Sequence, residues 1–378
     1  MSTIEMRLQG RYDNNLDFLR FVAAVLVIIC HSTTLLGYLW DPLEILTGYM
    51  SLGRLGVDIF FLLSGLLVTR SWLQDPRTLA FAARRGARIL PGLWATLLLG
   101  AAVVGPLLST LPWREYFSNP NTVAYLQGLL PFEMRYSLPE VFMHNPKHAY
   151  NGSLWTLPLE MKMYALLLLA GWLGCLRGRR RFWLFALALC GVIVCWERNE
   201  AWLVVNSRSV HLSATMEACA FFLIGMALYV HRDAVRLDGR IALAALVLLL
   251  GTLSTGLFGY AVNFVAVPYL LLYAALSPLP LLHRWGRHGD LSYGMYIYAF
   301  PIQQYIIQRL GWQRTGILEV ALWSMVATMA AAWLSWHLVE KPALTWARRW
   351  WSKPVPADPL QAAVPSVPAP AELRPASV

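Results

Sequence analysis

The side chains of this sequence that could do chemistry are ionisable groups placed inside long apolar stretches. The chain is 57% hydrophobic and only 14% charged, yet Arg20 and His31 both lie within its first apolar stretch. An ionisable group inside a bilayer costs about 2.5–3.5 kcal/mol on insertion scales, so each one is a candidate functional residue. Because an imidazole exchanges protons near neutral pH, we predict that His31 has a catalytic role.

The spacing of Arg20 and His31 predicts that both side chains lie on one face of a helix. Their eleven-residue interval, at about 100° per residue, falls within about 20° of whole turns. It also separates them by about 16 Å along the helix axis, half the thickness of the hydrocarbon layer. Asp17 precedes Arg20 by one turn, and we expect the two to form an ion pair. The plainer interpretation is that Arg20 reaches the headgroups and His31 binds a neighbouring helix.

Two carboxylates are predicted to lie at the depth of His31. Asp58 lies near the start of the second apolar stretch and Glu160 near the start of the fourth, and both stretches are expected to run opposite to the first. A histidine oriented by a carboxylate is a general-base arrangement, so Asp58 and Glu160 join His31 as predicted catalytic residues. Ser64, near the middle of the second stretch, is a candidate substrate-binding residue. A structural network that ties helices together is the alternative for either carboxylate.

Three arginines, Arg84, Arg85 and Arg88, cluster just before the third apolar stretch. A guanidinium group binds phosphate through paired hydrogen bonds, so these three residues are candidates for holding the phosphate of a substrate. Anchoring of a helix end or contact with anionic lipid explains such a cluster equally well.

These residues need a scaffold of membrane-spanning helices. A span takes about 20 mostly apolar residues, and the sequence therefore predicts an all-α, polytopic integral membrane protein with about ten transmembrane helices. The apolar fraction lies far above the globular norm of roughly 45–50%, which excludes a soluble enzyme, a disordered chain and a disulfide scaffold. The predicted spans lie near residues 17–36, 53–72, 89–110, 154–174, 182–196, 211–230, 241–259, 262–281, 291–310 and 316–339.

The basic residues predict how these spans are oriented. The chain has 31 Lys and Arg against 21 Asp and Glu, a formal net charge of +10. Every second loop lies on the same side of the membrane as the N-terminus, and most of the basic residues fall in these loops. An excess of Lys and Arg is typical of cytoplasmic loops. We therefore expect both termini in the cytoplasm, the lipid bilayer as the solvent, and no nucleic acid as a partner.

Two long segments lie outside the predicted spans. Residues 111–152 form one extended outside loop of a transmembrane domain that covers 1–345, and residues 346–378 form a Pro- and Ala-rich cytoplasmic tail predicted to be disordered. His144 and His148 in the loop have a zinc-compatible spacing but no further ligands nearby, so ordinary loop histidines are the better interpretation. The five cysteines form no CxxC pair, and no metal and no bound cofactor are predicted. The oligomeric state is unknown from the sequence.

In their order along the chain, these motifs resemble those of the acyltransferase-3 family of bacterial membrane O-acyltransferases. The pattern Leu-Asp-x-Leu-Arg-x10-His is complete from Leu16 to His31. The segment Gly56–Gly65 is similar to the family's Gly-Val-Asp-x-Phe-Phe-x-x-Ser-Gly. Further matching segments are Arg84–Pro91, Ser153–Glu160, Leu291–Pro301 and Val339–Pro342.

The resemblance implies transfer of an acyl group, usually acetyl from acetyl-CoA, to a hydroxyl of a cell-surface or exported glycan at the bacterial inner membrane. It implies that Arg20 and the arginines of the 84–88 cluster hold the CoA phosphates on the cytoplasmic side. Asp17 and Ser64 are the other residues expected to bind acyl-CoA. His31 would then either deprotonate the hydroxyl directly or briefly accept the acyl group, with one of the two carboxylates orienting it. The outside loop 111–152 is the expected place for acceptor selection.

Two other functions stay open at this point. A glycan or small-molecule transporter or flippase would also be polytopic, although transporters often carry inverted repeats and this sequence has its polar constellation in the first four spans. An acyltransferase that acts on an intracellular small molecule is the other.

The chain also departs from many family members at Ala299, where they have His, and at Met161, where they have a second acidic residue.

Overall fold

A computed structural model describes residues 2–8, 14–200, 209–277, 282 and 285–351 of the 378-residue chain. This part of the chain is built almost wholly of helices. The strands within it are two short segments, Ser2–Thr3 and Arg236–Leu237, which pair in antiparallel register. The predicted all-α class is therefore confirmed.

The helices, numbered in chain order, comprise long apolar segments and short connecting ones. They are α1 (Ile4–Leu8), α2 (Leu16–Leu35), α3 (Pro42–Thr47), α4 (Leu52–Gln74), α5 (Thr78–Leu99), α6 (Gly105–Leu108), α7 (Trp113–Ser118), α8 (Pro120–Leu126), α9 (Thr156–Trp172), α10 (Arg179–Glu200), α11 (Ser209–Val230), α12 (Gly239–Thr252), α13 (Leu257–Leu276), α14 (Ser292–Leu310), α15 (Ile317–Ser335) and α16 (Lys341–Trp351). Two π-helical turns, Gly100–Val104 and Trp336–Glu340, join α5 to α6 and α15 to α16.

Each of the ten predicted spans overlaps a helix of this series, but fewer meet the requirements for crossing a bilayer. In the described residues, six segments are long and apolar enough: Leu16–Leu35, Leu52–Gln74, Thr78–Leu108, Gly152–Trp172, Phe258–Leu276 and Ile317–Trp351. Helix α12 has only 14 residues where a span takes about 20, and α14 contains the polar residues Gln303 and Gln304, both fully buried. The chain is thus a multi-pass membrane protein, and the count of ten stays a prediction.

Two boundaries differ from those expected. Helix α5 begins at Thr78 and not near residue 89. The added residues are helical because Arg is a good helix former and because the side chains of Phe81 and Ile89 are buried in the core. The arginine cluster therefore lies on a helix and not in a loop. Helix α16 continues to Trp351, so the first residues of the predicted tail are helical, and residues 352–378 lie outside the described residues.

Helix α4 lies at the centre of the bundle and packs against α2, α9 and α11. Its contact with α11 is close because glycines meet there: a Cβ atom at Gly65 would overlap the carbonyl of Phe222, and one at Gly225 would overlap the carbonyl of Leu62. Small residues at crossing points are a common device of membrane helices. Helix α2 packs on the other side of α4 and also contacts α14 and α15.

The two ends of the bundle differ in chemistry. At one end, called the loop end here, residues 111–152 form a cap with a core of buried aromatic side chains that includes Tyr116, Tyr125 and Tyr150. At the other, called the arginine end, the first turn of α2 and the first half of α5 bring their arginines together. Helix α2 carries Arg20 in its first two turns and His31 near its far end.

Candidate active site

His31 lies on α2 with part of its imidazole free of protein partners. Its Nδ1 atom is buried and has no hydrogen-bond partner among the described residues. The ring of Phe300 on α14 stands edge-on to it, with 5.1 Å between ring centroids. Gln303, also on α14, donates hydrogen bonds to two groups of α2, the Ile28 carbonyl and the Ser32 hydroxyl. A neutral imidazole with an unused nitrogen can act as a base or a nucleophile.

Asp58 on α4 pairs with Glu217 on α11. The two carboxyl groups lie close enough to act on each other. Both side chains are nearly inaccessible, and Arg54 lies 3.8 Å from Glu217. No hydrogen bond or ion pair joins Asp58 to His31 in the described residues. The observed contact of Asp58 is one that ties α4 to α11.

Glu160 on α9 belongs to a separate network. The hydroxyl of Tyr164 donates to the Glu160 carboxylate and lies 3.3 Å from the hydroxyl of Ser64 on α4. Ser64 and Glu160 come from different sequence motifs, and Tyr164 joins them. The positive charges of Arg88 and Arg85 act on the Glu160 carboxylate. Glu160 is therefore coupled to the arginine end, and no described contact links it to His31.

Asp290, which precedes α14, gathers arginines from two other helices. Arg20 on α2 lies 3.3 Å and Arg88 on α5 lies 2.5 Å from the same carboxylate oxygen. Arg20 also lies 3.5 Å from Asp17, which confirms the predicted pair. Glu340, in the π-helical turn after α15, lies 3.9 Å from Arg88. These contacts hold α2, α5, α14 and α15 together at the arginine end.

The Asp290 carboxyl group is held in its ionised form. Burial alone would raise its pKa, but the charges of Arg88 and Arg20, together with hydrogen bonds from Ser292, keep the pKa below its ordinary value. One carboxylate oxygen accepts from the two arginines, and the other accepts from the backbone N–H and the hydroxyl of Ser292. Asp290 thus also caps the start of α14.

Arg84 and Arg85 are neighbours in sequence with different surroundings. Arg84 and Arg77 each lie 2.8 Å from Asp75 at the end of α4, and their hydrogen bonds hold the pKa of Asp75 well below its usual range. Arg84 therefore fixes the turn between α4 and α5. Arg85 has no hydrogen bond or ion pair among the described residues, and its Nε atom is buried. Its guanidinium group is available for an anion.

The sequence argument missed four members of these networks: Tyr164, Glu217, Asp290 and Glu340. Glu217 could have been predicted from the sequence, because this residue is ionisable and lies inside the predicted span 211–230. Asp290 lies just outside a span, where a carboxylate is ordinary, and nothing in the local sequence marks its partners. In the described residues no group of three His, Cys, Asp or Glu side chains is arranged to hold a metal ion.

The comparison with known proteins identifies the chemistry that this arrangement serves. The family model described as an acyltransferase domain matches residues 13–337, which include both ends of the site. The chain belongs to the acyltransferase-3 family. It is therefore an enzyme that transfers acyl groups, and its apolar helices make it a multi-pass membrane acyltransferase.

Relatives of this acyltransferase match it over nearly their whole length. The O-acetyl transferase of Shigella phage Sf6 is 30% identical over 337 residues, which cover 88% of this chain and 96% of the relative. Nodulation protein 10 of Rhizobium leguminosarum bv. viciae is 30% identical over 358 residues, which cover 88% of this chain and 93% of the relative. No solved structure matches the chain significantly.

Proposed function

We propose that this acyltransferase moves an acetyl group from cytoplasmic acetyl-CoA to a hydroxyl of a cell-surface or exported glycan at the bacterial inner membrane. The observation that carries the proposal is the buried, unpartnered Nδ1 of His31, about 16 Å along one helix from Arg20 at the arginine end. The 30% identity to a protein named O-acetyl transferase supports the acetyl group.

The arginine end supports the binding of acyl-CoA as a donor substrate. Arg85 makes no hydrogen bond or ion pair among the described residues, although the Glu160 carboxylate acts on its charge, and Arg20 and Arg88 meet at Asp290 in the same end of the bundle. Phosphates match the fork geometry of guanidinium groups. Arg84 contributes by fixing the α4–α5 turn through Asp75. With the phosphates held there, the acyl-bearing arm would extend along α2 towards His31.

The reaction follows one of two routes at His31. In the direct route, the imidazole takes the proton of the acceptor hydroxyl while the hydroxyl oxygen attacks the thioester carbonyl carbon. The new C–O bond forms, the C–S bond breaks, and the proton passes to the leaving thiolate to give CoA. In the other route, a His31 nitrogen attacks the thioester carbonyl carbon, so that a C–N bond forms, the C–S bond breaks, and the ring proton passes to the thiolate to give CoA. The hydroxyl oxygen then attacks the acyl carbon, the C–N bond breaks, and the hydroxyl proton returns to the imidazole.

The carboxylates act as positioning residues in this proposal. Glu160 holds Tyr164 against Ser64, which places hydroxyl groups between the arginine end and the centre of α4. Asp58, through Glu217, holds α4 against α11. Neither needs to contact His31 for the transfer.

The direct test replaces His31 with Ala and measures O-acetylation of the surface glycan by mass spectrometry. General-base catalysis contributes about 10²–10⁴-fold, so we expect acetylation to fall by at least about 100-fold. His144→Ala, an exposed loop histidine, is the matched control and is expected to keep full activity. Normal acetylation by a correctly inserted His31→Ala protein contradicts the proposal.

The two routes separate in an experiment without acceptor. Purified protein incubated with acetyl-CoA labelled in the acetyl group acquires label on His31 only if the imidazole accepts the acyl group. Label on the wild type that is absent from His31→Ala supports the acyl-histidine route, and rapid transfer to added glycan with no labelled protein supports the direct route.

A further inference from the structure

The loop end carries a polar groove that the residues of the proposed reaction do not use. A cavity of about 800 Å³ lies between helices α7 and α8 and the segment 134–140, and ligand sites commonly measure about 300–1,000 Å³. Amides, carboxylates and one tyrosine ring line it, which are the groups that hydrogen-bond sugar hydroxyls and stack on a sugar face. The polar residues concerned are Glu115, Asn119, Asn121, Arg135, Tyr136 and Glu140.

One wall of the groove is held in a strained conformation. Glu140 and Phe142 have left-handed backbones, with φ angles of 52° and 60°. Strain of this kind persists only where the surroundings fix it, and it is concentrated at binding and active sites. Here the Ser109 hydroxyl donates to the Pro139 carbonyl at 2.8 Å, and the Phe142 ring stacks on Tyr150 with 6.0 Å between centroids. The wall is therefore preorganised.

The same wall is linked to His31 through a series of contacts. The carbonyl of Tyr136 accepts a hydrogen bond of 2.9 Å from the backbone N–H of Asn151. The next residue, Gly152, lies so close to Phe300 that a Cβ atom would be 2.8 Å from its ring. That ring is the one that stands against the His31 imidazole. The segment that lines the groove is therefore connected to the surroundings of the proposed reacting group through Asn151, Gly152 and Phe300.

The charges of the groove select against acidic ligands. Glu115 and Glu140 are both exposed on its lining. Its one lining cation, Arg135, lies 3.7 Å from Glu133, which offsets its charge. A cleft lined by charge of one sign attracts ligands of the other sign and repels its own. This end of the molecule therefore differs from the chain as a whole, with its net charge of +10.

We propose that this groove is the acceptor site and that its ligand is an uncharged glycan, with Tyr136 as the stacking platform and Asn121 as a hydroxyl-binding amide. The inference rests on the proposed function, because only a glycan O-acetyltransferase needs such a site. It adds the charge class of the acceptor and the residues that select it. Glu115 and Glu140 exclude glycans that carry carboxylate or phosphate groups.

The charge class is tested on the natural product. Surface glycans of cells that carry the protein are separated by anion exchange into uncharged and acidic fractions, and the ester is located in each by mass spectrometry. We expect the ester on the uncharged fraction. Ester confined to the acidic fraction overturns this inference and leaves the proposed function standing, whereas the absence of ester from both contradicts the proposed function itself.

The groove residues are tested with the de-esterified uncharged fraction as acceptor and the full-length protein in detergent. Tyr136→Ala is expected to raise the KM for acceptor by about ten-fold, the loss of roughly 1.4 kcal/mol of stacking, with the KM for acetyl-CoA unchanged. Phe132→Ala is the matched control, because Phe132 is an exposed aromatic residue of the same segment that does not line the groove. Equal acceptor KM values for wild type and Tyr136→Ala overturn the assignment.

A double substitution tests selection by charge. Glu115→Lys with Glu140→Lys reverses the sign of the groove at two exposed positions, where no core contact is lost. We expect the variant to gain measurable transfer to a de-esterified acidic glycan fraction that the wild type does not use. Unchanged preference, with normal use of acetyl-CoA, contradicts the role of these two carboxylates.

Discussion

At the scale of single residues, the arginines predicted to bind phosphate differ in what already holds them. Arg20 and Arg88 share the Asp290 carboxylate, and Arg84 is paired with Asp75. Arg85 has no such anion among the described residues. A substrate phosphate therefore gains most from Arg85, because the other arginines must give up or share an existing partner.

We predict that Arg85→Ala and Arg88→Ala separate binding from stability. Arg85→Ala is expected to raise the KM for acetyl-CoA by about ten-fold or more, the loss of one charge-assisted hydrogen bond, with little change in thermal stability. Arg88→Ala leaves the buried Glu340 without its cation and leaves Asp290 with Arg20 alone, and breaking a buried pair in this way costs about 3–5 kcal/mol. Donor titrations and thermal unfolding in detergent measure the two effects, and equal destabilisation by both substitutions contradicts the distinction.

The lowered pKa of Asp290 predicts a dependence of stability on pH. A carboxyl group whose pKa is lower in the folded than in the unfolded state stabilises the fold above its unfolded pKa of about 3.9. That contribution is lost as the pH falls through the lowered folded value. We expect the unfolding temperature of the wild type to fall more steeply below about pH 4 than that of Asp290→Asn, which has no charge to lose. Parallel pH profiles for the two proteins argue against an ionised Asp290 in the fold.

A functional residue could be predicted only where its own sequence neighbourhood marks it as unusual. Arg20 and His31 stand out because each is costly in its own apolar stretch, and the Asp17–Arg20 pair follows from one helical turn. The partner of Asp58 is different. Glu217 lies on a helix far along the chain, and only the packing of α11 against α4 brings the two together.

At the scale of elements, apolarity located the helices but not their ends. The predicted third span began near residue 89 because Arg84, Arg85 and Arg88 lower the local hydropathy. In the fold, α5 extends back to Thr78, because Asp75 and Asp290 provide counter-charges for its arginines. Those carboxylates lie outside the segment that they stabilise, so the hydropathy of that segment alone cannot predict where α5 begins.

The crossing of α4 and α11 yields a prediction about two glycines. Gly65→Val and Gly225→Val each place a side chain where the facing helix has its backbone, and overpacking of this kind costs typically about 1–3 kcal/mol or more. We expect a lower unfolding temperature and reduced transfer, since the helix that carries Ser64 and Asp58 is displaced. Gly251→Val in α12 is the matched control, because a Cβ atom there meets nothing within 4 Å. Loss of stability in the control as large as in the two variants contradicts the close-approach argument.

At the scale of the whole molecule, the arrangement fits a reaction that joins two compartments. The residues suited to phosphate lie at the arginine end, and the groove that we propose for the glycan lies at the loop end. His31 faces the loop end on the helix whose other end carries Arg20. With a bilayer around the apolar helices, the proposed donor and acceptor would lie on opposite faces, which is what surface modification with a cytoplasmic donor requires.

This separation makes orientation the property on which the proposed function depends most. Basic loops are retained on the cytoplasmic side, so the arginine end is predicted to face the cytoplasm and residues 111–152 the outside. In a variant with its five cysteines replaced by alanine, Asn121→Cys and Arg240→Cys place one thiol at an exposed position of each end. We expect a membrane-impermeant maleimide to label position 121 in intact spheroplasts and position 240 only after lysis. The reverse pattern would put the phosphate-binding arginines on the side that lacks acetyl-CoA, and the proposed direction of transfer would then be wrong even if His31 proved essential.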